Sequence, residues 1–277
     1  MKKNICMLFV GILLCSCGYN PNSSDGKRVI TVTIEPLRYF TEYIAGDKFV
    51  VETMVPDGAN PETYEPSAKQ MINLSHSDLY IKVGSIGFER TWMKKLRDSA
   101  PHVIVVDSSE GIEPMCDVNG ITDPHTWMSP SNSIAIARNI YKALVEIDSK
   151  DRIYFKKNLE KFIKETNVLD KEIRTLVSKD KSMSFLIYHP ILTYFAKDYK
   201  LIQIPLEEEG REPSARQLKD IITRANAEGV KVFFVQKEFS GRSTDIVVTS
   251  VGARKVEINP LGYDWRNEII NIARNLK

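Results

Sequence analysis

The chain predicts an α/β protein made of two lobes, each built on a largely parallel sheet, joined by one long rigid helix. Three observations predict this. Short apolar strands alternate with helical patterns from residue 28 to about residue 106. The stretch from Ser131 to His189 then runs without a single Gly or Pro, and its second half carries apolar residues at helical spacing. Beyond it, strand–helix alternation resumes and continues to the C-terminus.

In the first lobe, expected at 28–148, the apolar runs predict strands over 28–34, 49–54, 78–83 and 103–106. Helices are expected over 37–45, 67–74 and 88–97, and the Pro-, Gly- and Asn-rich stretch from Pro56 to Pro66 reads as a loop. A linker helix is expected within 149–180. Phe155, Leu159, Phe162, Thr166, Leu169, Ile173 and Leu176 recur at spacings of four and three, one buried stripe. A helix over 149–178 would be about 45 Å long, enough to run along two lobes. A helical hairpin packed on one domain is the competing reading. The second lobe, 181–277, repeats the alternation. Its expected strands are 184–188, 201–205, 231–235 and 255–258, with helices at 190–198, 214–227, 244–251 and 265–276. In open parallel sheets, ligands bind beyond the carboxyl ends of strands, so functional residues are expected in loops that follow strands.

The first residues read as an address. Lys2 and Lys3 precede a run of about ten apolar residues, Ile5 to Leu14, too short to span a bilayer. Leu14-Cys15-Ser16-Cys17 resembles the bacterial lipoprotein box. That resemblance implies a signal peptide over 1–16, an acylated Cys17, an extracytoplasmic location on the periplasmic side and attachment to the membrane through the lipid. Residues 17–27 are polar and turn-rich, as a flexible tether should be. Of the four cysteines, Cys6 and Cys15 leave with the signal. Cys116 then has no partner for an intramolecular disulfide and is expected as a small, partly buried loop residue.

The formal net charge of +2 comes from Lys2 and Lys3, so the mature chain is neutral. A neutral chain without a basic stripe excludes nucleic acid as the main partner.

Four histidines are present. His76 and His102 lie at strand entrances, the wrong end of a parallel sheet for a ligand site. His125 lies in Asp123-Pro124-His125-Thr126-Trp127-Met128-Ser129-Pro130, and His189 directly follows a strand and precedes Pro190. A neighbouring proline stiffens the backbone and reduces the entropy lost on binding. Neutral imidazole is a common zinc ligand. Spacing alone nevertheless leaves a His125–His189 metal site open, because no short motif such as H-E-x-x-H is present.

The motif around His125 resembles the D-P-H-x-W-x-S-P segment of the zinc- and manganese-binding solute-binding proteins of ABC importers. Tyr188-His189-Pro190-Ile191-Leu192-Thr193-Tyr194-Phe195-Ala196 is similar to that family's second histidine segment. Glu212-Pro213-Ser214 and Asn259-Pro260-Leu261-Gly262 resemble its E-P-S and D-P-L-G turns, and Asp57 to Pro66 resembles its first ligand loop. These segments follow the family's order and cover nearly the whole mature chain.

The resemblance implies a metal cleft between two lobes, with Glu62 and His125 from the first and His189 with Asn259 or Asp264 from the second. Two positions depart from the family pattern. Glu62 stands where a histidine is usual, and Asn259 where an aspartate is usual. Asp264 could replace Asn259, or could cap the closing helix. Glu207, Glu208 and Glu209 are further carboxylates, expected mainly as a solvated turn. The implied cargo is Zn2+, with Mn2+ or Fe2+ as alternatives because oxygen donors favour harder ions. The loop between Glu110 and Pro124 lacks the histidine run that resembles a scavenger in many zinc-importing relatives. The implied partners are an ABC permease and its ATPase, and the implied role is not enzymatic. Three other classes compete: a zinc hydrolase with Glu62 as general base, an adhesin with a structural metal, and a binder of iron–siderophore or corrinoid.

Overall fold

The computed structural model describes residues 26–116, 120–177, 184–207, 211–236 and 242–276. The signal peptide, Cys17, most of the tether, Glu208 and Glu209 lie outside them.

Two four-stranded sheets form, and every pairing in both is parallel. The first contains β1 (Arg28–Val32), β2 (Phe49–Thr53), β3 (Ser77–Lys82) and β4 (Ile104–Asp107), in the order β2-β1-β3-β4. The second contains β5 (Ser184–Ile187), β6 (Ile202–Pro205), β7 (Val232–Gln236) and β8 (Arg254–Ile258), in the order β6-β5-β7-β8. The two lobes thus share one topology. Each reverses direction once, between β1 and β3 in the first and between β5 and β7 in the second. Loops leaving the strands part at such a reversal and open a crevice.

Helices α1 (Glu35–Ala45), α2 (Ala68–Leu74), α3 (Gly87–Ser99) and α4 (Pro130–Ile147) belong to the first half of the chain. α2 begins at a capping box in which Ser67 and Gln70 satisfy each other's backbone amides. α5 (Arg152–Val177) buries Phe155, Leu159, Phe162, Thr166, Leu169 and Ile173, the stripe expected from the spacing except at its end, where Leu176 in the last turn is only partly buried. It folds back against α4 and also packs on α1. The break before it lies at Asp148, whose φ of −145° and ψ of 79° are not helical, followed by a 3-10 turn over Ser149–Asp151. No Gly or Pro marks this break. α5 therefore joins the two lobes and forms the long arm of a hairpin with α4.

Helices α6 (Thr193–Tyr199), α7 (Ala215–Ala227), α8 (Arg242–Val251) and α9 (Trp265–Asn275) follow. A second capping box, Ser214 with Gln217, starts α7 and explains the Glu212-Pro213-Ser214 turn. α9 lies against α5, with ion pairs Arg266–Glu165 and Arg274–Glu172 along the seam. Its first residue, Trp265, is buried with its ring centroid 5.0 Å from that of Phe40 in α1. The closing helix, expected with the second lobe, thus reaches the core of the first. Cys116 is exposed rather than partly buried; it forms an isolated antiparallel bridge with Thr122 at the surface. Among the described residues, no helix is long and apolar enough to cross a membrane.

Candidate metal centre

The crevices of the two lobes face each other across a cavity of about 160 Å³. Its wall is mostly apolar, with Ile86, Trp127, Ile191 and Leu261 contributing, and it carries a few polar side chains: Glu62, His125, His189, Glu207 and Gln236. His76 and His102 are not on this wall; His102 contacts the Ser75 carbonyl instead.

His125 precedes a 3-10 turn over Thr126–Met128 and is buried. Asp123 shapes this loop. Its Oδ1 accepts from the His125 backbone N–H at 2.7 Å and lies 2.8 Å from His125 Nδ1. Burial on its own would raise the Asp123 carboxyl. The neighbouring His125 imidazole outweighs it, with hydrogen bonds from His125 and Thr193, and holds the carboxyl below its ordinary range. The second lobe grips the same loop. Tyr194 donates its hydroxyl to the Asp123 carbonyl at 3.1 Å, and Ser129 donates to Asp198 at 2.6 Å.

His189 leaves β5 at the topological reversal of the second sheet. Gln236, the last residue of β7, accepts from the His189 N–H at 3.3 Å and donates to its carbonyl at 2.9 Å. His189 Nδ1 lies 3.2 Å from Oε1 of Glu207, which is buried. Glu207 is therefore part of the cavity, not of a solvated turn.

A carboxylate accepts, so Asp123 and Glu207 favour the tautomer with the proton on Nδ1, which leaves Nε2 able to coordinate a cation. The two Nε2 atoms face one another at 3.4 Å, with ring centroids 5.1 Å apart and planes at 87°. In that tautomer the two nitrogens repel unless a cation lies between them. For zinc with ligand bonds of about 2.05 Å at the tetrahedral angle, two nitrogens sit about 3.3 Å apart. The observed separation matches that edge.

The oxygen donors are arranged less simply. Glu62 lines the cavity, but both its oxygens are engaged: Oε1 accepts from Gly87 N–H at 3.0 Å and Oε2 from Arg90 Nη2 at 3.1 Å. Asn259 precedes Pro260 and Leu261 on the cavity wall. Its backbone N–H donates to Glu268 at 2.9 Å, while its Oδ1 is buried with no hydrogen-bond partner among the described residues. Asp264 is instead the N-cap of α9, with Oδ1 accepting from Asn267 N–H and Oδ2 from Asn267 Nδ2. That use of both oxygens accounts for its position off the cavity wall. Among the described residues, no three His, Cys, Asp or Glu side chains converge closely enough to hold an ion.

Asp123, Glu207 and Gln236 support the two histidines, a role for which the sequence carries little signal. Asp123 was visible inside the D-P-H motif, and Gln236 had only its place at a strand's carboxyl end as a signal.

The model of the family described as "Zinc-uptake complex component A periplasmic" matches residues 30–272. The high-affinity zinc uptake system protein ZnuA of Bacillus subtilis is 28% identical over 273 residues, covering 90% of this chain and 85% of that protein. The manganese ABC transporter substrate-binding lipoprotein PsaA of Streptococcus pneumoniae is 30% identical, covering 87% and 84%. A crystal structure of ZnuA superposes with a TM-score of 0.86 at 35% identity, covering 90% of this chain and 97% of that one. With a family match across nearly its whole length and the fold to go with it, the chain belongs to the periplasmic zinc-uptake component A family.

Proposed function

We propose that this protein captures a divalent transition metal, zinc foremost, between its two lobes and delivers it to the permease of an ABC importer. One observation carries the reading: two imidazoles, one from each lobe, bring their Nε2 atoms to 3.4 Å while a carboxylate lies against each Nδ1. His125 and His189 are the nitrogen donors. Glu62 and Asn259 are the oxygen donors, and Asn259 is favoured over Asp264 because its buried Oδ1 has no partner among the described residues. A buried carbonyl left unpaired costs about 1–3 kcal/mol, which coordination would offset. Manganese is the second reading, favoured by the two oxygen donors and by the likeness to PsaA. The role is that of a binding protein rather than an enzyme, as in the uptake proteins it resembles. The protein works outside the cytoplasm, held to the membrane by a lipid on Cys17, with the permease and its ATPase as partners.

The test is a competition titration of purified protein against a chromophoric chelator, with zinc and then manganese. Wild type is expected to bind zinc more tightly than manganese. A His125→Ala, His189→Ala double variant that retains wild-type zinc affinity would overturn the assignment.

A further inference from the structure

Glu62 lines the cavity, yet its carboxylate is turned onto the start of α3. Gly87, the first residue of that helix, donates its N–H to Oε1, and Arg90, one turn on, donates to Oε2. Arg90 is itself held, because its Nη1 donates to the Ser85 carbonyl at 2.5 Å. The seat has a fixed frame. Glu89 is buried and accepts from Thr33 Oγ1, Val83 N–H and Gly84 N–H, which anchors the start of α3 to the ends of β1 and β3. Gly87 completes it: a methyl group there would collide with the Glu62 carboxylate and lie 3.0 Å from its Cα.

We infer that Arg90 sets metal affinity by holding Glu62 parked away from the two imidazoles, so that each binding event must move Glu62 from the α3 seat to the ion. The inference rests on the metal-binding reading above and adds to it a residue that does not touch the ion. The seat has the right strength for the purpose. The ion pair is half-exposed on the Arg90 side, where such pairs hold weakly. A helix N-terminus adds a modest attraction for the carboxylate. A divalent cation offers more, so the carboxylate changes partner on loading and has a ready partner to return to on release. Arg90 is thus a positioning residue whose influence runs entirely through Glu62.

The test is zinc affinity by chelator competition in wild type, Arg90→Gln, Glu62→Gln and the double variant, together with the Gly87 amide resonance in zinc-free and zinc-loaded protein. Arg90→Gln is expected to bind zinc roughly three- to tenfold tighter, since a weak competitor has been removed. Glu62→Gln should bind more weakly, and Arg90→Gln should have no effect in that background. The Gly87 amide should shift on loading in wild type as it loses its acceptor, and much less in Glu62→Gln. A circular dichroism spectrum and an unfolding midpoint matching wild type guard against a folding artefact in the arginine variant. If zinc binding needs both histidines but Arg90→Gln leaves affinity unchanged or lowers it, the parked-carboxylate inference fails alone. If wild type binds no zinc, both readings fail.

Discussion

Trp265 donates its indole N–H to the backbone carbonyl of Trp127 at 2.7 Å, across the junction between the closing helix and the loop that carries His125. Trp127 in turn donates its own indole N–H to the Pro260 carbonyl at 2.9 Å, beside Asn259. Both rings are buried. The two indoles therefore lock the loop carrying His125 to the loop carrying Asn259, and both rings belong to the main apolar cluster. Trp265→Phe should keep most of the packing but leave the Trp127 carbonyl buried and unpaired, at a cost of about 1–3 kcal/mol. Denaturant unfolding should report that loss, and zinc affinity should fall with it because His125 is no longer fixed.

Asp123 and Glu207 orient the two rings and select the tautomer that frees Nε2. Removing such a partner typically costs about 10–100-fold in metal affinity. Asp123→Asn and Glu207→Gln should each fall in that range in a chelator competition, with folding intact by circular dichroism. An unchanged affinity in both would mean that the rings are held by backbone contacts alone.

The pH dependence of Asp123→Asn reads the contribution of this carboxyl to folding. The wild-type carboxyl is held below its ordinary range, so the folded state favours its ionised form. Its contribution to stability is present above the unfolded value of about 3.9 and is lost as pH falls through the lower folded value. The stability gap between wild type and Asp123→Asn, without metal, should therefore persist through mild acid and close only below about pH 4. Denaturant unfolding of both proteins across this range checks it.

Strand–helix alternation makes both sheets legible in the sequence, because the largely buried central strands, such as β3, β5 and β7, read as short apolar runs between helices. The stripe from Phe155 to Ile173 similarly marked the buried face of α5. The break at Asp148 was invisible because it depends on that residue's backbone angles rather than on Gly or Pro. Within the centre, the histidine loops stood out through their prolines and their places after strands. The roles of Glu207 and Gln236 did not, because they exist only once β5, β6 and β7 lie side by side. The seating of Glu62 on Gly87 and Arg90 is likewise a property of a loop meeting the start of a helix, separated by 25 residues or more.

Metal removal distinguishes a transported ion from a structural one. The largest apolar cluster includes residues of both lobes, α5 and α9, and owes nothing to the cavity's polar groups. The metal-free protein should therefore stay folded, with native circular dichroism and a cooperative unfolding transition after treatment with a strong chelator. Zinc binds the folded state alone, so at a free concentration one hundred times the dissociation constant it should add about 2.7 kcal/mol of stability. Calorimetry should show this as a rise in Tm that grows with zinc concentration, reverses with chelator and disappears in the His125→Ala, His189→Ala variant. Unfolding on chelation would instead identify the metal as a structural clamp, because a fold that collapses when it surrenders its ion cannot serve repeated cycles of capture and release.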